Sequence, residues 1–311
     1  MANNASRRVT AAAGARRHLE VMSDFVDVSV NYAEREAETL RMVVRSEPKG
    51  NSSLRRVATI ARNAFRESVR DKVLYNLVFF VLLLTAAAIF LGDLTAGEEF
   101  KIITDLGLSA TLLFGVFISI FVGVGLVYKE FERRTVYSIF SKPVGRGEFL
   151  FGKYLGLCLT LLVNVLVMGA GVTLALLYVQ RPQNPSAFTV WPALLLIYAE
   201  LTIITAVALL FSSFSSPALS ALLTFLIFVI GHFSADLRAF AASLGTAGAQ
   251  WLMGAIYYAL PNLSNFSHIT PAAYGRTPAA GLLAAALLYA LAYNAVLLSL
   301  AALIFRRRNF K

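Results

Sequence analysis

Three polar side chains lie inside long apolar stretches of this sequence, where such groups are costly to place. Glu200 is the acidic residue deepest in a stretch of this kind, about 13 Å from Trp191 if the segment is helical. A charged side chain at mid-membrane costs roughly 2.5–3.5 kcal/mol on insertion scales, so it must face protein or water. Asn164 and Asn294 lie at a similar depth in two other stretches, and we expect all three to meet in one slab. Two roles stay open: hydrogen bonding between helices, or a site for a substrate or a proton.

A nucleotide-binding pattern is almost present at Gly147–Lys153. The pattern G-x-x-x-x-G-K-[ST] is matched up to its last position, where Tyr154 replaces Ser or Thr. Tyrosine does not supply the small hydroxyl that binds Mg²⁺, and an apolar span follows where the phosphate-binding helix would begin. We therefore expect this chain to bind neither ATP nor another cofactor.

The sequence shows no spacing that is typical of a metal site or a catalytic centre. The lone cysteine, Cys158, rules out a disulfide scaffold, and neither CxxC nor HExxH occurs. No Ser/His/Asp, Cys/His or carboxylate pair falls at membrane depth. The sequence predicts that the chain is not an enzyme and binds no metal.

The composition indicates a membrane protein. The chain has 311 residues, of which 58% are hydrophobic and 15% are charged, and its mean hydropathy is +0.67. A soluble globular chain carries roughly 25% charged residues. The net charge of +10 does not indicate a nucleic-acid partner, because the basic residues mostly flank apolar runs.

Six apolar stretches are each long enough to cross roughly 30 Å of hydrocarbon as a helix. Helices are required, because a segment in lipid must satisfy its own backbone hydrogen bonds. The predicted fold is an all-α membrane protein with six transmembrane helices over residues 73–311. The spans are Val73–Leu91, Leu106–Tyr128, Tyr154–Val179, Trp191–Phe211, Pro217–Ser234 and Ala279–Phe305.

The basic residues indicate the orientation of these spans. With six spans, 24 of the 28 Lys and Arg residues fall on one side, which the positive-inside rule assigns to the cytosol. A seventh span at Ala239–Leu260 would place the basic C-terminus outside, against this rule. We therefore expect both termini in the cytosol and an external or re-entrant cap at 235–278.

Three cytosolic segments lie outside the predicted spans, two before the first span and one between the second and the third. Residues 1–50 are predicted to be a largely disordered tail, followed at 51–72 by a basic amphipathic helix in the membrane interface. A solvated helix that packs on another domain is the alternative. The loop 129–153 mixes both charges with an apolar stripe, which favours docking of a protein partner over anchoring to lipid.

Several stretches carry a family resemblance. The run Val127–Gly156, with the elements Lys-Glu-x-Glu-Arg-Arg-Thr-x-Tyr and Lys-Pro-x-x-Arg-x-Glu-Phe-x-x-Gly-Lys, resembles the permease subunits of type-2 ABC exporters. Ala61–Tyr75, Leu209–Ser220 and Pro261–Phe266 are similar to the same family, and the resemblance covers about 53–311. The nearest subgroup resembles the permease that serves copper-site maturation of nitrous oxide reductase.

The resemblance implies a half-transporter in the bacterial cytoplasmic membrane. It would pair with a second permease copy, as a homodimer, and with two separate ABC ATPase subunits that carry ATP and Mg. The amphipathic segment would be the family's elbow helix, and the loop 129–153 its coupling element. In that loop, glycine often precedes the threonine in the wider class, and here Arg134 does. The residues placed at the ATPase interface are Glu130, Glu132, Arg133, Arg134 and Thr135.

Another class of transporter is the main rival interpretation. A self-sufficient secondary transporter would use Glu200 as a proton carrier. A lone intramembrane acid and the absence of an internal repeat argue against it. The sequence does not indicate the substrate.

Overall fold

The computed structural model describes five longer segments and a few shorter ones. They are 52–68, 98–132, 145–179, 185–234 and 260–307, with 35, 38, 79–80, 83–84, 86–87, 90, 248, 250–251, 254–255 and 257. The chain divides into two compact units, Met1–Leu54 and Arg55–Lys311. Apart from 35 and 38, the predicted tail at 1–50 lies outside the described residues, and so does most of the first predicted span.

Helices make up almost all of the described part, and no strand occurs in it, which confirms the all-α prediction. Short 3₁₀ turns cover Pro185–Thr189 and Leu263–Phe266. The α-helices are α1 (Ser52–Ser68), α2 (Glu99–Glu132), α3 (Arg146–Val179), α4 (Val190–Ser212), α5 (Pro217–His232), α6 (Ile269–Ala273) and α7 (Ala280–Arg307).

Helices α2, α3, α4 and α7 are long and apolar enough to cross a membrane. They contain four of the six predicted spans, with bounds that differ by a few residues at most ends. Helix α5 is apolar but has only 16 residues, about 24 Å at 1.5 Å per residue. The count of six spans stays a prediction.

Helix α4 lies at the centre of the bundle. It packs against α2, α3, α5 and α7, and every residue from Ala199 to Leu209 is buried. A helix that is apolar on all sides belongs in the core of a large assembly of helices. Glu200 therefore lies on the most enclosed membrane-length helix of the described part.

Small residues on α2 allow this close packing. A Cβ atom added at Gly107 would lie 2.7 Å from Val172 of α3, and one at Gly115 would overlap Leu201 of α4. A Cβ atom at Gly123 would lie 3.3 Å from Ala208 of α4. The small-residue stripe of α2 is thus occupied by contacts within one subunit.

The segment before α7 packs onto the start of α2. Helix α6 ends in a turn in which Gly275 has φ of +72° and the amide of Arg276 donates to the carbonyl of Pro271. Glycine suits this left-handed position because it has no Cβ atom. The ammonium of Lys101 lies 4.7 Å from the ring centroid of Tyr274. The external or re-entrant position of the cap at 235–278 stays a prediction.

Candidate functional site

Glu200 is paired with a histidine inside the helical bundle. Its side chain is 1% exposed, and its Oε1 lies 3.3 Å from Nδ1 of His232, the last residue of α5. The other carboxylate oxygen, Oε2, has no hydrogen-bond partner among the described residues. A buried ionisable group at this depth is a candidate functional group by default.

The hairpin of α4 and α5 brings these two residues together. Helix α4 ends at Ser212 and α5 begins at Pro217, a position in the first helical turn that proline favours. Counted from the turn, Glu200 is about 18 Å back along α4 and His232 about 22 Å along α5. The sequence does not predict this pairing, because His232 lies near the outer end of the predicted span Pro217–Ser234. The two counts from the turn are the signal that could have found it.

His232 lies at the closely packed end of α5. Its ring contacts those of Phe228 and Phe233, with centroids 5.5 Å and 5.7 Å away. A Cβ atom at Gly231 would lie 2.6 Å from the carbonyl oxygen of Pro261. Because the backbone of α5 ends against Pro261, only glycine fits at 231 without a shift.

A polar cluster around Asn262 closes this end of α5. Its Oδ1 accepts hydrogen bonds from Ser234 and Ser264, both at 2.6 Å. Its Nδ2 donates to the hydroxyl of Tyr257, and its backbone amide donates to the hydroxyl of Tyr289 on α7. Asn262 thus links the ends of α5 and of the 3₁₀ turn to α7 through satisfied bonds.

Asn164 and Asn294 are buried, but no hydrogen bond joins either to Glu200 in the described part of the chain. Nδ2 of Asn294 donates to Oγ1 of Thr202 at 3.0 Å, which links α7 to α4. Nδ2 of Asn164 donates to the carbonyl of Thr160 within its own helix. Each asparagine leaves its Oδ1 without a partner among the described residues, as Glu200 leaves its Oε2.

Two of the five predicted coupling residues lie at the C-terminal end of α2. Glu130 and Glu132 belong to the last turn of that helix, and Arg133, Arg134 and Thr135 lie outside the described residues. Helix α3 begins at Arg146, so helical structure extends into both ends of the predicted loop 129–153. The interface role of these five residues stays a prediction.

Two ion pairs hold α1 against the first turns of α3. Nε and an Nη atom of Arg56 donate to the two carboxylate oxygens of Glu148 at 3.1 Å and 3.2 Å. This two-pronged geometry suits arginine and a carboxylate. Nζ of Lys153 lies 3.4 Å from Glu67, and the lysine side chain is 5% exposed.

Close backbone contact accompanies these ion pairs. A Cβ atom at Gly152 would lie 2.7 Å from Ile60, and one at Gly156 would lie 2.6 Å from the carbonyl of Ala61 and from Ala64. The apolar stripe of α1 thus packs on α3, while Arg55, Arg62 and Arg66 are exposed on its other side. The interfacial position predicted for 51–72 stays a prediction. The segment Gly147–Lys153 is helical, and Gly152 serves this contact.

An apolar cleft of about 430 Å³ opens between α4, α5 and α7. Val207 and Phe211 of α4 line one wall, and Tyr293 and Leu297 of α7 line the facing wall. Ile227 and Pro261 also border the cleft. The surface suits an apolar group and carries few polar atoms.

Residues 58–310 match the family described as ABC-2 family transporter protein. The match begins within α1 and continues through the C-terminal helix. A comparison with the curated proteins gives no match.

Proposed function

Because the chain belongs to the ABC-2 family transporter proteins, it is the membrane-spanning subunit of an ABC transporter, and we propose that it is the permease of an exporter. The observation that carries this proposal is the family match over 58–310, which includes every membrane-length helix of the described part. The chain is a transport subunit and is not itself the ATPase. The family match does not favour the rival interpretation of a self-sufficient transporter that carries protons on Glu200.

The proposed assembly contains two permease copies and two separate ABC ATPase subunits. ATP and Mg bind to the ATPases, and the loop 129–153 docks on them through Glu130, Glu132, Arg133, Arg134 and Thr135. The complex lies in the bacterial cytoplasmic membrane, with both termini of the permease in the cytosol. The resemblance to the permease that serves copper-site maturation of nitrous oxide reductase stays a prediction.

The contacts of α1 and α3 support a route for coupling. The residues between α2 and α3 connect directly to Arg146, the first residue of α3. Within the first two turns of α3, Glu148 and Lys153 are bound to α1. A displacement of the loop by the ATPases would therefore move α1 and the start of α3 together. ATP binding drives transport only if it favours one permease arrangement over another.

Reversing the two arginines of the loop tests the docking role. We expect Arg133→Glu with Arg134→Glu to reduce transport-coupled ATPase activity about tenfold or more, because repulsion replaces attraction at a charged interface. The measurement is ATP hydrolysis and co-purification of the ATPase with the full-length permease in lipid nanodiscs.

The control moves the same charge change to another cytosolic arginine pair. Arg306→Glu with Arg307→Glu alters the end of α7 by the same net charge. We expect this variant to retain the ATPase. Equal losses in both variants, or normal coupled turnover in the loop variant, would contradict the docking proposal.

A further inference from the structure

The contact between Glu200 and His232 has no role in the coupling route described above. Of the charged side-chain types, Glu200 and Lys153 are buried in the described part. Lys153 pairs with Glu67 of α1, while Glu200 pairs with His232 of α5. The two helices that the contact joins, α4 and α5, are neighbours in sequence and share a short turn.

The pair can bind no proton, one proton or two. With one proton, either a carboxylate faces an imidazolium or a carboxylic acid faces a neutral imidazole, and both forms suit a contact of 3.3 Å. With none, Glu200 is a buried anion without a countercharge, which is strongly unfavourable in a low-dielectric interior. With two, the imidazolium loses its anionic partner. One proton therefore gives the most favourable contact between α4 and α5.

Access to this proton runs through the histidine. The Glu200 side chain is 1% exposed, whereas that of His232 is 24% exposed. Because Nδ1 of the ring faces the carboxylate, Nε2 is the nitrogen that can take up a proton from outside the pair. A proton that arrives at Nε2 is matched by one that leaves Nδ1 for Oε1, and the ring is then neutral again.

Several other titratable groups on the surrounding elements have partners of their own. On α3, Tyr154 interacts with Cys158 and with Thr202. Tyr198 of α4 donates to the carbonyl of Cys158, and Tyr289 of α7 accepts from the amide of Asn262. On α2, Lys101 is paired with Glu98. Within the described ranges, His232 is the side chain whose charge acts on Glu200.

We propose that Glu200 and His232 form a proton-binding site that holds the last turn of α5 against α4. Loss of the shared proton, or gain of a second one, loosens this contact. The same end of α5 continues toward Ser234, which is bonded to Asn262. Ile227 of α5 and Pro261 border the apolar cleft. The proton on the pair thus biases the width of that cleft, independently of ATP.

Isotope labelling of the histidines can observe the proton directly. The chain has three histidines, so a ¹⁵N-histidine spectrum of the full-length protein in nanodiscs is simple, and His232→Gln assigns the signal. Infrared spectra of the same sample report the carboxylic acid of Glu200. Because the two groups share one proton, their pH titrations should have a common midpoint. The Glu200→Gln variant should displace the His232 midpoint by about one pH unit or more.

Hydrogen exchange measures the contact itself. We expect amides in the last turn of α5 to exchange about tenfold faster when the pair loses its shared proton, after correction for intrinsic exchange. Glu200→Gln keeps the shape of the side chain and should abolish this pH dependence. His268→Gln, which changes a histidine outside the pair, is the control and should leave it unchanged.

Separate midpoints for Glu200 and His232 in the unmodified protein would overturn the proposal. Exchange in α5 that follows only the intrinsic pH dependence would overturn it as well. The midpoints and the exchange rates are both measured on the unmodified protein, so they decide the question even if Glu200→Gln does not fold. They require no ATPase, so they are independent of the proposed export function.

Discussion

At the scale of single residues, the interior of the bundle depends on polar contacts that cross between helices. The clearest is the hydrogen bond from Asn294 on α7 to Thr202 on α4. Thr202 itself donates to the carbonyl of Ala199 in its own helix. The hydroxyl therefore accepts one bond and donates another, and its removal leaves the asparagine amide buried without this partner.

Thr202→Val should destabilise the protein by about 0.6–1.7 kcal/mol, which lies between the average and the largest value measured for hydrogen bonds between membrane helices. Thr205→Val is the matched control, because Thr205 is buried on the same helix and bonds only within it. It should change stability little. The measurement is unfolding of the purified protein in detergent.

A double-mutant cycle sharpens this prediction. Because the two side chains interact, Thr202→Val combined with Asn294→Leu should cost less than the sum of the two single changes. Additive effects would show that the two side chains do not interact.

Part of this residue-level picture could be predicted from the sequence and part could not. The burial of Glu200, Asn164 and Asn294 follows from their places in apolar runs. Their partners do not follow, because a run gives the depth of a residue and not the rotation of its helix or the rotamer of its side chain. Asn164 shows this, since its amide turns back to its own helix. His232 is a second example, because its depth relative to Glu200 depends on the length of α5.

At the scale of elements, α1 and α3 behave as one unit because glycines let their backbones approach. The sequence places an amphipathic helix at 51–72, and the structure has α1 at Ser52–Ser68. The sequence does not indicate which surface the apolar stripe covers, because both lipid and protein stabilise an amphipathic helix. Helix α3 also begins before its predicted span, at Arg146, because a helix can continue beyond the apolar region into water.

Gly156→Ala tests the contact between α1 and α3. The added methyl group would meet the backbone of Ala61, so we expect a loss of about 1–3 kcal/mol, the usual cost of overpacking. Gly147→Ala, at an open position on the same helix, should be neutral or gain up to about 1 kcal/mol from helix propensity. Thermal unfolding of both variants in detergent is the measurement. Similar effects for the two would show that α1 is not closely packed at Gly156.

At the scale of the whole molecule, the described part has four membrane-length helices, and one of them, α4, is largely buried among the others. The predicted orientation rests on charge alone, and it divides the exposed positions Gly145 and Arg276 between opposite sides of the membrane. The family match supports a multi-pass membrane protein without testing the position of its termini.

Cysteine labelling tests this orientation. In a Cys158→Ser background, a membrane-impermeant maleimide should label Arg276→Cys in intact spheroplasts. It should label Gly145→Cys only after the membrane is opened. The background variant alone, which lacks the single native cysteine, should stay unlabelled. Labelling of both positions from the same side would contradict the six-span arrangement.

The separation of Glu200 and His232 along the chain has a consequence for biosynthesis. The two residues are 32 positions apart, and a ribosome adds roughly 5–20 residues per second. Glu200 therefore emerges from the ribosome roughly 2–6 seconds before His232 does. During that interval the newly made α4 carries an acid without its partner, and α5, at about 24 Å, is shorter than the roughly 30 Å of hydrocarbon. We therefore expect α4 to enter lipid together with α5 instead of before it, because the pair reduces the cost of roughly 2.5–3.5 kcal/mol for a buried charge.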